Sequence, residues 1–305
     1  MKLLTRSLVA ALALAFGYGG SALAGDSCGC GDMLASPSWN ACGDCCYDDC
    51  CDPCCDGAGG IGFFGEAEVL FLRYHRADGV RVGGDAGDEA EFDFDPAMRY
   101  TAGLIGPGGM GARIRYFDYD HTAVTADGAG QIGVDLWNID IEAFEAFALN
   151  DVWALEVSGG IRFTNFREQM LDAVELDDRT VGVDAVGGIV GLEARRATGL
   201  GVLYARSRFA IIQGDKQLFN ADTGAIVQQE ELLDVTTSVL ELAIGSELNY
   251  QLGNGAVLFG RSGLEWQHYN ELSSAFDQGG NIESFWDGDS AVGLGGFTFA
   301  AGVSY

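Results

Sequence analysis

The connections between apolar segments constrain this chain more than any single motif does. Ten stretches with period-2 alternation can be read between Ile61 and Tyr305, at 61–74, 97–106, 110–119, 132–149, 152–165, 181–195, 200–213, 235–252, 256–268 and 292–305. Tight turns join four pairs of them, at Gly106-Pro107-Gly108-Gly109, Leu149-Asn150-Asp151, Arg196-Ala197-Thr198-Gly199 and Leu252-Gly253-Asn254-Gly255. Five long links, near 75–96, 120–131, 166–180, 214–234 and 269–291, fall between the turns without a break in the alternation. An antiparallel up-and-down β-barrel crossing an outer membrane has this arrangement, with short turns on the periplasmic side and long loops outside. A soluble sandwich has no reason to sort its loops in this way. The expected fold is therefore all-β, a transmembrane barrel of about ten strands within a range of eight to twelve.

The strand faces carry the same message. One face of 153–163 reads Trp153, Leu155, Val157, Gly159, Ile161 and Phe163, and the other reads Glu156, Ser158, Gly160 and Arg162. In 240–250, Leu240, Leu242, Ile244, Ser246, Leu248 and Tyr250 oppose Glu241, Ala243, Gly245 and Glu247. Glu, Arg and Gly cannot cheaply make a dry core, so the apolar face is assigned to lipid and the polar face to the lumen. Trp153, Tyr250 and Tyr305 then fall at the periplasmic edge, and Tyr100, Tyr116, Phe163 and Trp266 at the outer edge, where amphipathic rings favour the interface.

Strand parity places nine acids inside: Glu66, Glu68, Asp140, Glu142, Glu156, Glu193, Glu241, Glu247 and Glu265. Eight bases accompany them: Arg99, Arg113, Arg115, Arg162, Arg195, Arg206, Arg208 and Arg261. The lumen is thus close to neutral although the chain carries a formal charge of −28, so the surplus belongs to loops and leader. Two readings of that lining stay open. The arginines and acids can line a water-filled, selective channel, or they can pair across a narrow bore and close it. About ten strands give a small bore, since aqueous channels become clear at roughly 16–18 strands. Homo-oligomerisation or further strands would favour the channel.

The N-terminal residues read as an export signal. Lys2 and Arg6 precede an apolar stretch from Leu8 to Phe16, and Ser21-Ala22-Leu23-Ala24 supplies a cleavage site ahead of Gly25. Residues 25–60 form a leader with too little apolar content for a core. It holds all nine cysteines: Cys28, Cys30, Cys42, Cys45, Cys46, Cys50, Cys51, Cys54 and Cys55. An exported segment meets an oxidising compartment, so disulfides are expected ahead of the zinc that the Cys-x2-Cys spacings also suit. Nine is odd, which leaves a thiol for a disulfide-linked periplasmic or wall partner. Beyond the signal no apolar run is long enough for a membrane helix. The acidic balance argues against nucleic-acid binding. No cofactor or metal site is expected. The carboxylate-rich stretch at 85–95, and Asp277, Glu283, Asp287 and Asp289, lack a calcium-loop pattern and read as solvated surface.

The last strand, Gly296-Phe297-Thr298-Phe299-Ala300-Ala301-Gly302-Val303-Ser304-Tyr305, resembles the C-terminal signal of outer-membrane barrels. Phe297, Phe299, Val303 and the aromatic terminal Tyr305 carry that resemblance, which implies recognition by the barrel-assembly machinery and an outer-membrane location in contact with its lipid. Tyr305 departs from the usual terminal Phe. The stretch Val157-Ser158-Gly159-Gly160-Ile161-Arg162-Phe163 resembles a strand of the Legionella-type major outer-membrane family, which implies a pore. The cysteine-rich leader is similar to those of exported planctomycete proteins. The function expected from these features together is passive diffusion of small solutes. The alternative is a structural barrel that tethers the membrane through its cysteines. A rim-site enzyme is the weakest reading: His75, His121 and His268 map to outer strand ends, with Asp118 and Asp120 beside His121 in sequence, but no catalytic motif accompanies them.

Overall fold

The computed structural model of the chain describes residues 61–76, 90–126, 128, 130–172, 177–222, 225–270, 272 and 291–305. The export signal, the cysteine-rich leader, residues 85–89 and the acidic group from Asp277 to Asp289 lie outside the described residues. Ten strands follow in order: β1 (Gly62–Arg76), β2 (Asp95–Ile105), β3 (Met110–Val124), β4 (Gly130–Ala148), β5 (Trp153–Asp172), β6 (Asp177–Thr198), β7 (Gly201–Asp222), β8 (Ala225–Gln251), β9 (Val257–Tyr269) and β10 (Val292–Ser304). Each pairs antiparallel with its neighbours in sequence, and β10 returns to β1 to close the barrel. At the level of the turn half every strand is paired on both sides, so closure leaves no free sheet edge there. The seam is tied to its last residue, because Phe63 and Tyr305 exchange backbone hydrogen bonds of 2.8 Å.

Four tight turns lie at one end, called here the turn end; the one expected at Arg196-Ala197-Thr198-Gly199 sits further on, at Gly199-Leu200, because Arg196 to Thr198 still pair with β7. Gly109 and Gly255 adopt φ of 81° and 87°, a region in which a side chain would be strained. Asn150 stabilises its own turn by accepting hydrogen bonds from the Val152 and Trp153 amides at 3.1 and 3.0 Å. Inside the barrel, a β-carbon on Gly160 would collide with the Ile141 carbonyl of the next strand, so glycine permits the tight coiling there.

The opposite, hairpin end corrects the expectation of long loops. The links expected at 120–131, 166–180 and 214–234 are mostly strand: β3 to β8 run on, leaving only 125–129, 173–176 and 223–224 as connections. The physical reason is an inversion of the hydrophobic pattern along unbroken strands. Even-numbered positions of β4 face inward throughout, yet Ile132, Val134 and Leu136 near the hairpin give way to Asn138, Asp140 and Glu142 further down. The inward residues of the hairpin half, among them Leu70, Leu72, Phe117, Tyr119, Phe166, Val183, Ile212 and Leu294, form one buried apolar cluster. Outward neighbours at that level, such as Asp184, Gln213 and Asp215, are exposed and polar. The hairpin half is thus built like a soluble barrel and the turn half like its inverse.

The turn half wears a continuous apolar belt. On β5 it runs from Trp153 to Phe163, on β7 from Leu203 to Ile211 and on β8 from Leu240 to Tyr250. Ile161, Val190, Ile244 and Leu248 each expose half or more of their surface. Tyr100 and Tyr116 stand directly opposite each other at the upper margin, and Ile139 and Phe163 continue that row. Trp153, Tyr250 and Tyr305 mark the lower margin.

The apolar cluster should dominate the stability of the hairpin half. Leu136→Ala is expected to lower the unfolding free energy by about 2–5 kcal/mol, whereas Gln217→Ala on the outer face should change it by no more than about 0.5 kcal/mol. Denaturant titration in detergent micelles, followed by tryptophan fluorescence, checks both.

Candidate functional site

The inward charges of the turn half form a lattice that crosses the lumen. At its centre is a closed ring of four side chains. Arg162 on β5 donates from Nε and Nη2 to the two oxygens of Asp140 on β4, at 2.7 and 2.8 Å. Its Nη2 also lies 2.6 Å from Glu241 on β8. Arg208 on β7 completes the ring, with Nη1 2.8 Å from Glu241 and Nη2 2.5 Å from Asp140, and it also reaches Glu142. The β4–β7 and β5–β8 pairs are not neighbours in the sheet, so the ring spans the bore.

Two further clusters flank it. Arg99 on β2 donates at 2.7 Å to Glu68 on β1 and at 2.8 Å to Glu265 on β9, and Arg206 donates to the same Glu265 at 3.1 Å. Nearer the turns, Arg113 joins Glu142 at 2.7 Å and Glu156 at 2.6 Å. Arg261 there holds Glu247 at 2.6 Å and Glu66 at 3.2 Å, and it stacks over Phe259. Arg195 also reaches Glu247, and Glu193 stands 3.9 Å from both Arg195 and Arg261. Nearly all of these groups are buried; Arg162 is 1 % exposed.

The nine acids and eight bases assigned inward by parity lie on the inner face, and among the described residues all but one of them form ion pairs. Arg115 is the exception. It stands in register between Thr101 and Asp140, but both Asp140 oxygens are taken by Arg162 and Arg208. Its Nε and Nη1 are buried without a hydrogen-bond partner.

Several inward features were missed in the sequence, the buried Lys216 of β7 among them. Arg76 Nη1 lies 2.5 Å from Glu168 within the apolar half, and the Tyr74 hydroxyl donates to the same carboxylate at 3.0 Å. A polar seam also separates the two halves. Thr164 donates to Asn138 at 2.7 Å, Asn138 to Tyr269 at 3.0 Å, Tyr269 to Gln267 at 3.0 Å and Gln267 to Glu265 at 2.8 Å. Carrying the parity of β5 past Thr164 would have found Glu168, had that segment been read as strand.

Toward the turn end the lattice borders a cavity of about 80 Å³ lined by Glu66, Thr101, Arg113, Arg115, Glu156, Glu193, Arg195 and Arg261, with Phe64, Phe144 and Phe259 among its apolar walls. The rim histidines are separate features. His121 shares a hydrogen bond of 2.7 Å with the Pro96 carbonyl, and its nearest acid is Asp95 at 3.8 Å. Asp118 and Asp120, adjacent in sequence, are on the other face of β3, as strand alternation requires. His268 stacks on Trp266 and bonds Asn270. His75 and His268 flank Gly293 from opposite sides in the sheet. In the acidic stretch, Glu91 and Asp93 are exposed, but Phe92 turns inward against Tyr74, so only part of it is solvated surface.

No family model matches the sequence, and neither does any curated protein. Solved structures with a related shape include the outer membrane protease OmpT from Escherichia coli, at 8 % identity and a TM-score of 0.46 over 80 % of this chain and 96 % of that one. The translocator domain of the autotransporter NalP from Neisseria meningitidis gives 12 % identity and 0.44 over 82 % and 91 %. A major outer membrane protein from Thermus thermophilus gives 10 % and 0.40 over 81 % and 100 %. Likeness this distant carries nothing about activity, and the reading of the chain rests on its own geometry.

Breaking the ring from one side leaves a buried charge unmatched. Arg162→Met should cost about 3–5 kcal/mol of stability. Adding Asp140→Leu should cost less than the two single changes summed, because they share partners. A double-mutant cycle by urea unfolding reads the difference.

Proposed function

We propose that the chain is an outer-membrane barrel with a sealed lumen that anchors its cysteine-rich leader to the membrane. The observation that carries the proposal is the Asp140–Arg162–Glu241–Arg208 ring, which crosses the bore at the level of the apolar belt, with a dry apolar cluster stacked beyond it. The belt supports the location. Its runs on β5, β7 and β8 have the ~9–11-residue length that a tilted strand needs to cross the hydrocarbon layer. Apolar surface this continuous is not left facing water in a soluble monomer. The outward face of Phe297, Phe299, Val303 and Tyr305 is available to the barrel-assembly machinery. In this reading the protein contributes no catalysis. Its partners are membrane lipid and whatever the leader's cysteines bond.

Passive diffusion of small solutes is the second reading. The charged cavity at the turn end favours it, as does the resemblance of 157–163 to the Legionella-type pore-forming family. It requires the ring to part, since the bore is otherwise occupied by side chains.

Planar-bilayer recording separates the two. The full-length protein should be silent, and Arg162→Ala together with Arg208→Ala should produce openings if the ring is the seal. Steady conductance in the unaltered protein would establish the pore instead. Deleting residues 25–60 should abolish disulfide-linked adducts on non-reducing gels without affecting barrel insertion. Absence of any such adduct from the unaltered, exported protein would remove the anchoring role.

A further inference from the structure

The lipid-facing surface carries very little charge. From the lower aromatic margin up to the row of Tyr100 and Tyr116, two charged side chains point outward among the described residues, Glu145 on β4 and Arg196 on β6, and both are exposed. In the sheet Glu145 stands between Met110 of β3 and Val157 of β5, while Ile141 and Phe147 lie above and below it on the same face of β4. All four of these neighbours are apolar and exposed. Arg196 stands opposite Trp153 on β5, and its guanidinium lies 5.5 Å from the centre of that ring. Neither charge has an ion pair among the described residues.

The two charges flank β5 and do not reach each other. Glu145 is in register with Val157 and, beyond it, Leu192, and Arg196 lies further along β6 toward the turn. Strand spacings of ~4.8 Å and a rise of ~3.3 Å per residue put their backbones about 16 Å apart. Their depths nevertheless agree. Glu145 precedes the turn at Asn150 and Arg196 precedes the turn at Gly199, both at the same end of the barrel, and the difference in their distances from those turns is about 7 Å at ~3.3 Å per residue. Ionised groups on a hydrocarbon face are costly, and those that persist in a membrane pair with one another. Between the two runs the apolar ridge of Leu155, Val157, Gly159 and Ile161 on β5. A β-carbon on Gly159 would meet nothing nearer than 3.8 Å, and one on Gly188, beside Ile161, nothing within 4 Å. The chain's own packing therefore does not require glycine at either outward position.

We infer that β5 is the centre of a homodimer interface in which Glu145 of each copy pairs with Arg196 of the other. All copies cross the membrane in one orientation, so a two-fold axis relating two of them runs along the membrane normal. Such an axis placed at β5 exchanges the two sides of the ridge, and it sets each Glu145 against the partner's Arg196 at matching depth. The contact is isologous and forms both ion pairs at once. In hydrocarbon the attraction acts at low dielectric without water to compete for it, so each pair counts for more than at a wet surface. Gly159 and Gly188 lower the ridge where two convex barrels touch and let the sheets approach. The interface depends on the membrane placement of the belt and is independent of whether the bore is sealed.

Sedimentation equilibrium of the full-length protein in density-matched detergent micelles tests it, with a reductant present so that the leader's cysteines cannot link copies. The unaltered protein should be a dimer in equilibrium with monomer. Glu145→Arg and Arg196→Glu should each raise the dimer dissociation constant at least tenfold, because like charges then meet across the axis. The two reversals combined should restore the dimer, a result that neither misfolding nor a simple anchoring role at the lipid interface would give. Gly159→Trp, which places a wedge on the ridge without touching a charge, should also leave monomer. The shift in gel mobility between unheated and heated samples confirms that each variant is folded. A monomeric unaltered protein would overturn the interface, and so would a dimer that survives both single reversals or a folded double reversal that stays monomeric.

Discussion

A guanidinium inside a ten-strand barrel is costly unless carboxylates meet it, and apart from Arg115 the inward arginines of the belt are arranged around that requirement. Asp140, Arg162, Glu241 and Arg208 satisfy one another in a closed cycle, and each bond of the cycle joins two strands. The attraction within such a lattice is large, but so is the cost of taking the charges out of water, and the net gain in stability is small. What the lattice fixes is register. A slip of one residue in β4 would turn Asp140 and Glu142 toward the belt and bring Ile139 and Ile141 into the bore, a change unfavourable on both faces.

Placing paired charge across the bore also dictates where apolar packing can occur. At the level of the belt the apolar side chains face out, so little is left inside to form a core. The strands therefore continue past the belt, and there the pattern inverts to give an interior of Leu70, Leu136, Phe166 and Ile212. The polar seam from Thr164 through Asn138, Tyr269 and Gln267 lies where the two chemistries meet, and it passes hydrogen bonds from one half to the other. Arg76 and Glu168 sit beyond the seam and show the same rule in miniature, two opposite charges bonded to each other within the apolar half.

Much of this was legible without coordinates. Ten strands, their antiparallel order and the inward set of Asp140, Arg162, Arg208, Glu241 and Glu265 follow from a period of two, because alternation depends on local backbone geometry alone. The tight turns were equally readable, since Gly109 and Gly255 announce backbone conformations that other residues resist. The hairpin extensions were not. Polar residues such as Asp184, Gln213 and Asp215 resemble loop residues until it is known that their alternate neighbours pack into a shared interior.

The sequence by itself determined the class of fold, the number of strands and which residues face the lumen, all of which depend on neighbours along the chain. Only the tertiary structure decided which charges pair. Arg99 with Glu265, Arg208 with Asp140 and Arg76 with Glu168 join residues 68 to 166 positions apart, on strands that are not adjacent. Parity gives nine acids and eight bases without saying which base stays outside the ion pairs. That Arg115 is the unmatched one depends on the register that sets Asp140 opposite it, and on the curvature that lets Arg162 and Arg208 reach Asp140 first.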